Sequence, residues 1–237
     1  MLLIVCLLLA GISWAQADGS AAAAGNTTVK SNSSNISENV SINSSSSMGT
    51  LNLALYNMPD TRQSTEYSCG AASLQAVLAY WGRDIGEEDL REMLNTNEES
   101  GTYPDDIIRV AEALGLQAEY AENMTIADLE GYVAEGVPVI VDCQAWRSVS
   151  QYNESWADTW YNGHWVVVIG VDDFNVTLED PYLLGNRGIM SRQEFEERWH
   201  NPRGLDESDT AKQIHMGIAI RGEMPASATS SGFKHVD

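Results

Sequence analysis

The stretch Gln63-Ser-Thr-Glu-Tyr-Ser-Cys69-Gly-Ala-Ala-Ser-Leu-Gln-Ala-Val-Leu-Ala-Tyr-Trp81-Gly82 sets the fold, because it joins a polar lead to a helix that begins on a cysteine. Behind Gly70, Ala71 and Ala72, the apolar residues Leu74, Val77, Leu78 and Trp81 recur at the i, i+3, i+4, i+7 spacing of a helix with one buried face. Cys69 therefore stands at or near a helix N-terminus. Unpaired backbone N–H groups and the positive end of the helix dipole favour negative charge there, and so favour a thiolate, the nucleophilic form of cysteine. The alternative for the same residue is a small buried apolar filler, as free cysteines commonly are. The rest of the chain has to separate the two.

Upstream, residues 1–17 open on Leu-Leu-Ile-Val-Cys-Leu-Leu-Leu-Ala and close on Ala15-Gln16-Ala17. A short apolar run ended by a small-x-small pattern reads as a signal peptide, with an uncleaved anchor as the alternative. Residues 18–48 are Ser, Asn, Ala, Thr and Gly with hardly a large apolar side chain, a composition that cannot bury a core and predicts a disordered spacer. The spacer holds Asn-x-Ser/Thr acceptors at Asn26, Asn32, Asn35, Asn39 and Asn43, and others follow at Asn123, Asn153 and Asn175. Behind a signal peptide, that cluster predicts a glycosylated, extracellular stalk. Without Cys6 the mature chain keeps Cys69 and Cys143, too few for a disulfide scaffold; they form one bridge or stay free.

Downstream, residues 50–222 have the size of a single globular domain, and 223–237 read as a flexible tail. With 13 Lys+Arg against 34 Asp+Glu the chain carries a formal charge of −21, which excludes nucleic acid and anionic membrane surfaces as partners. Helices are expected over Glu87–Leu94 and Pro104–Leu114, where proline suits the first turn and Gly115 the stop. A strand is expected from Leu116 to Tyr120. Thr125-Ile-Ala-Asp128 has the form of a capping box for a helix through Glu135. Pro138-Val-Ile-Val-Asp-Cys143 reads as a buried strand that makes Cys143 a packing residue. After an aromatic loop over residues 147–162 come strands His164–Val171 and Val176–Leu178, a helix capped at Ser191 and running through Trp199, and a last strand Ile214–Ile220. Helices first and an antiparallel sheet afterwards make an α+β domain.

A thiol nucleophile needs a base, and His164, at the start of the strand Trp165-Val-Val-Val-Ile169, can face a cleft from the strand edge. His200, at an expected helix end, and His215, alternating within the last strand, compete for the role. The base in turn needs a partner that fixes its tautomer, and Asp180 ends the strand expected to pair with that of His164. Asp172 and Asp173 lie at the far turn of the same hairpin. Gln63, six residues before Cys69, can offer its side-chain amide beside the backbone N–H of the nucleophile, where attack on a carbonyl creates an oxyanion.

Taken together, Gln63, Cys69-Gly70, Gly163-His164 and Asp180-Pro181 resemble the papain-like cysteine peptidases of the C39 type, the bacteriocin-leader-processing family and its free-standing relatives. The resemblance implies a papain-like fold with Cys69 as nucleophile, His164 as general base then acid, Asp180 as the group that orients the imidazole, and Gln63 as oxyanion donor. It implies a peptide or protein substrate and no metal or cofactor. Ser68 stands where the transporter-linked members commonly carry an acidic residue, and no transporter segments are evident, so the chain looks closer to the free-standing branch. The expected function is a secreted cysteine peptidase without a stable membrane span once the signal is removed. The alternatives are a thioester-forming acyltransferase or amidase, and a non-catalytic extracellular binding module using the loop around Trp146, Trp156, Trp160 and Tyr161.

Overall fold

A computed structural model describes residues 53–55, 57–202 and 212–223, all within one compact unit, Ser47–Asp237. The expected signal peptide, spacer and tail lie outside the described residues, apart from Glu223 at the tail's start. In chain order the elements are β1 (Leu53–Ala54), α1 (Cys69–Tyr80), α2 (Glu87–Met93), α3 (Pro104–Ala113), β2 (Gln117–Ala121), α4 (Ile126–Ala134), β3 (Val139–Gln144), β4 (Gly163–Val171), β5 (Asn175–Glu179), β6 (Gly188–Ser191), α5 (Arg192–Arg198), β7 (His200–Pro202), β8 (Lys212–Ile214) and β9 (Gly217–Arg221). Seven strands form one antiparallel sheet in the order β2-β9-β3-β4-β5-β6, with β1 pairing β4 beyond the end of β3. The α+β, papain-like architecture is the expected one.

The sheet centre follows from composition. The β-branched runs Val139-Ile-Val and Val166-Val-Val-Ile169 fit the pleated surface, and every residue of β3 and all but Gly163 of β4 are buried. Helix α1 packs on β4 from one side and on α2 and α3 from the other. The expectation of a single buried face on this helix is therefore corrected: ten of its twelve residues are buried. The cause is the run Gly70-Ala-Ala-Ser73, whose small side chains let neighbouring elements close in on what an amphipathic pattern would leave in water. Ser73 Oγ donates to the Trp165 carbonyl at 3.0 Å, fastening the helix to β4. The box predicted at the start of α4 forms, with Thr125 accepting from the Asp128 N–H and Asp128 accepting from the Thr125 N–H.

Two further expectations are corrected. Ile214–Ile220 is not one strand: His215 adopts φ 48°, stacks on Trp199 at 4.8 Å, and ends β8 before β9 begins. His215 Nδ1 lies 3.1 Å from the Met124 carbonyl, a tertiary contact that holds this left-handed turn. His200 does not close a helix. It begins β7, is buried, and places Nε2 2.7 Å from the Thr159 carbonyl. Neither competes with His164 for a place in the cleft.

A buried carboxylate organises the lead into α1. Glu179, wholly buried, accepts from the Thr61 N–H at 2.8 Å and pairs with Arg187, whose guanidinium also donates to the Met58 carbonyl. Thr61 Oγ1 donates in turn to the Ala72 carbonyl at 2.9 Å, so β5 reaches the nucleophile helix through one threonine. Truncating one member of such a pair leaves the other uncompensated. Glu179→Ala is expected to lower stability by about 3 kcal/mol in urea unfolding, and a joint replacement of Glu179 and Arg187 by methionines to cost less than the single change.

Candidate active site

Cys69 is the first residue of α1 and 8% exposed. The preceding residue, Ser68, gives the helix no side-chain cap, because its hydroxyl exchanges hydrogen bonds with Thr65 instead, accepting from the Thr65 N–H and donating to the Thr65 carbonyl, each at 3.1 Å. The first turn of α1 is thereby left without a side-chain cap, at the end of the helix that carries Cys69. Any side chain at position 70 would meet Thr102, since a Cβ there would lie 2.6 Å from the Thr102 Cβ; the glycine after the cysteine is required by this close approach.

His164 comes from the start of β4, opposite Cys143 on β3. Its Nε2 lies 2.7 Å from Asp180 Oδ1, with both side chains buried. Asp180 directly follows β5, and its Oδ1 also accepts the Tyr182 N–H at 2.9 Å. Cys69 interacts electrostatically with the same imidazole, and with Nε2 taken by Asp180, Nδ1 is the nitrogen left for the thiol. Burial opposes a charge on His164, but the hydrogen bond to Asp180 and the interaction with Cys69 outweigh it and push the imidazole up to about 10. The structure thus brings together Cys69, His164 and Asp180 from three separate elements.

Gln63 is placed beside this group and joined to it indirectly. Its backbone N–H donates to the Pro181 carbonyl at 3.0 Å, and its side-chain Nε2 donates to the Thr65 carbonyl at 2.8 Å. No hydrogen bond connects it to Cys69 or His164 among the described residues. One N–H of the amide is committed to Thr65 and the other remains available. Cys143 is fully buried with its thiol pushed up by burial, and both it and Cys69 are free thiols, so no bridge blocks the site.

Sequence reasoning missed Asp142 and Asn201. Asp142 is buried on β3, opposite Trp165. Asn201 Nδ2 donates to Asp142 Oδ2 at 2.6 Å, and Asn201 Oδ1 accepts from Gln144 Nε2 at 2.8 Å. Burial pushes the Asp142 carboxyl up to about 6, against the pull of the hydrogen bond from Asn201 and, more weakly, of the His164 charge. The signal for Asn201 was Gly163. A Cβ at that position would fall 2.4 Å from Asn201 Nδ2, so the glycine before His164 exists to seat the asparagine.

Two cavities border the group. One, of about 380 Å³, is open to Cys69 and is walled by Gly101, Thr102, Asp142, Gly163 and Trp165. The other, of about 600 Å³, lies on the Asp180 side under the aromatic loop, where Trp156 is held between the guanidinium groups of Arg147 and Arg198 at 4.0 and 3.8 Å. Among the described residues no cluster of His, Cys, Asp and Glu has the arrangement of a metal site.

The chain is similar to known proteins in sequence and in fold. An uncharacterized protein of Methanothermobacter marburgensis is 35% identical over 123 residues, 52% of this chain and 70% of that one. A short match of 39 residues at 56% identity, 16% of this chain and 8% of the other, links it to cysteine protease effector 1 of Escherichia coli. Among solved structures, a Bacillus anthracis protein described as a C39-like peptidase superposes with a TM-score of 0.55 at 20% identity, over 73% of this chain and 98% of that one. The peptidase domain of Streptococcus ComA does so with a TM-score of 0.51 at 21% identity, over 68% and 95%. At these identities the two structures establish a shared fold. The model of the Peptidase_C39 like family matches residues 51–206, and the chain belongs to that family.

Proposed function

We propose that the domain is a cysteine peptidase that cleaves peptide bonds through a thioester on Cys69. The observation that carries this reading is the line Cys69–His164–Asp180, with the imidazole held at 2.7 Å by the aspartate on one nitrogen and left to the thiol on the other. In the resting pair the proton of the Cys69 thiol is held on His164 Nδ1, and the thiolate attacks the peptide carbonyl carbon. The carbonyl oxygen becomes an oxyanion facing the Cys69 backbone N–H and the second N–H of the Gln63 amide. His164 then gives its proton to the leaving amine as the C–N bond breaks, leaving the acyl group on sulfur. Water, deprotonated by the same imidazole, attacks the thioester; the C–S bond breaks and the acid is released with the thiol restored. Asp180 keeps Nε2 protonated throughout, so that Nδ1 is always the nitrogen that exchanges the proton. Water is the acyl acceptor in this reading, which separates a peptidase from an acyltransferase on the same thioester.

On a peptide library read by mass spectrometry, the native chain is expected to produce new termini, and Cys69→Ala to lose at least about a thousandfold of that turnover. Normal turnover by Cys69→Ala would end the proposal. The pH dependence follows from His164. Its folded value of about 10 lies above the free value of 6.5, so the charged pair contributes fully below about pH 6.5 and is lost as pH rises through about 10. Asp180→Asn removes the strongest support for that charge. It is expected to move the alkaline fall of activity to lower pH and to cut the rate by about tenfold or more; an unmoved alkaline limb would show that Asp180 does not hold the imidazolium.

A further inference from the structure

The cavity that opens on Cys69 has a chemical character of its own. Its lining carries Glu66, Glu98, Glu99 and Asp142, and among the described residues no lysine or arginine side chain. Two cations beside lining residues are engaged: Arg91 donates to the Tyr67 hydroxyl at 2.9 Å, and the Lys212 ammonium rests over the Trp160 ring at 4.2 Å. Exposed glutamates at a rim are commonly nothing more than a solvated edge. Asp142 differs from them in being 5% exposed, on the wall of the cleft, with one carboxylate oxygen unspent. Oδ2 is committed to Asn201, and Oδ1 has no hydrogen-bond partner in the folded chain. A buried carboxylate oxygen left without a donor costs free energy that an apolar residue in the same strand would not.

Asp142 is also held rather than merely present. The chain Gln144–Asn201–Asp142 fixes its orientation, and Gly163 is kept bare to admit Asn201. Restraint of this kind suits an acceptor that must meet a donor arriving from the cleft. Tyr103 and Tyr161 add ring surface along the same lining, the surroundings that favour the stem and head of a long cationic side chain.

Resting on the peptidase reading, we propose that the cleft beside Cys69 selects peptides with a lysine or arginine close to the bond cleaved, and that Asp142 Oδ1 is the buried acceptor for that side chain. The rim glutamates draw the cation in, and Asp142 binds it. Asp142 is a specificity residue here; it takes no part in the transfer of the acyl group.

The test needs no known substrate. The full chain is treated with three methanethiosulfonates that carry an aminoethyl ammonium, a sulfonate or a plain methyl group, and modification of Cys69 is followed by peptide mapping. The cationic reagent is expected to outrun the anionic one, and Asp142→Asn, which keeps an acceptor for Asn201, to cut that ratio by about tenfold while the neutral reagent's rate stays as it was. Glu112→Gln, an exposed charge on α3, controls for the net charge of the chain and is expected to leave the ratio unchanged. If Asp142→Asn does not fold, the pair Glu98→Gln and Glu99→Gln on the exposed rim is expected to reduce the ratio by about threefold. Peptide chloromethyl ketones with lysine, norleucine or glutamate next to the reactive group are expected to inactivate in that order, and Asp142→Asn to erase the lead of lysine. Fast neutral modification without charge preference, or a preference that survives Asp142→Asn, overturns the cleft assignment and leaves the peptidase reading standing. A Cys69 inert to all three reagents overturns both.

Discussion

The hydrogen bond between His164 Nε2 and Asp180 Oδ1, 2.7 Å long and buried on both sides, is the contact on which the arrangement of this domain turns. It joins the start of β4 to the residue after β5, and it requires the two strands to run antiparallel in the register that pairs Val167 with Glu179. The neighbours of Asp180 extend the same clasp toward the nucleophile. Glu179 binds Thr61 and Arg187, and Pro181 accepts the Gln63 N–H, so three consecutive residues hold both the imidazole and the lead into α1. A thiol on a helix tip and an imidazole on a strand edge belong to different elements; this tripeptide fixes one against the other.

The glycines on either side of the site express the same constraint in steric form. Gly70 admits Thr102, whose carbonyl accepts the Trp165 indole N–H at 3.1 Å, and Gly163 admits Asn201. Each glycine lies next to a residue of the proposed catalytic group, and each lets a wall of the cleft approach the backbone closely. The cleft is therefore built by what the backbone leaves room for as much as by the side chains it carries.

Much of this was legible in the sequence, and the exceptions have physical causes. The helix at Cys69, the capping box at Thr125 and the buried strands at Val139 and Val166 are local signals, written in periodicity and cap chemistry, and all form. Those signals brought out the α+β class, and Gln63, Cys69-Gly70, Gly163-His164 and Asp180-Pro181 carried the likeness to C39-type peptidases. The burial of α1 on nearly every side was not legible, because small residues read as neutral in an amphipathic pattern while allowing close packing. The break at His215 rests on Trp199 and Met124, distant in sequence, so the apolar run around it concealed the turn. Glu179 and Asp142 looked like ordinary polar residues in apolar strands. Only their partners, Arg187 and Asn201, show why they are tolerated in the core.

The central claim is that Cys69 and His164 act as one proton-sharing pair. The most direct measurement is the rate of Cys69 alkylation by iodoacetamide against pH, in the native chain and in His164→Ala, with peptide mapping to separate Cys69 from Cys143. The account predicts fast reaction at and below neutral pH in the native chain, and in the variant a rise only where an ordinary cysteine ionises, about pH 8.5. A Cys69 that is unreactive in the native chain, or whose profile is the same with and without the imidazole, would contradict it.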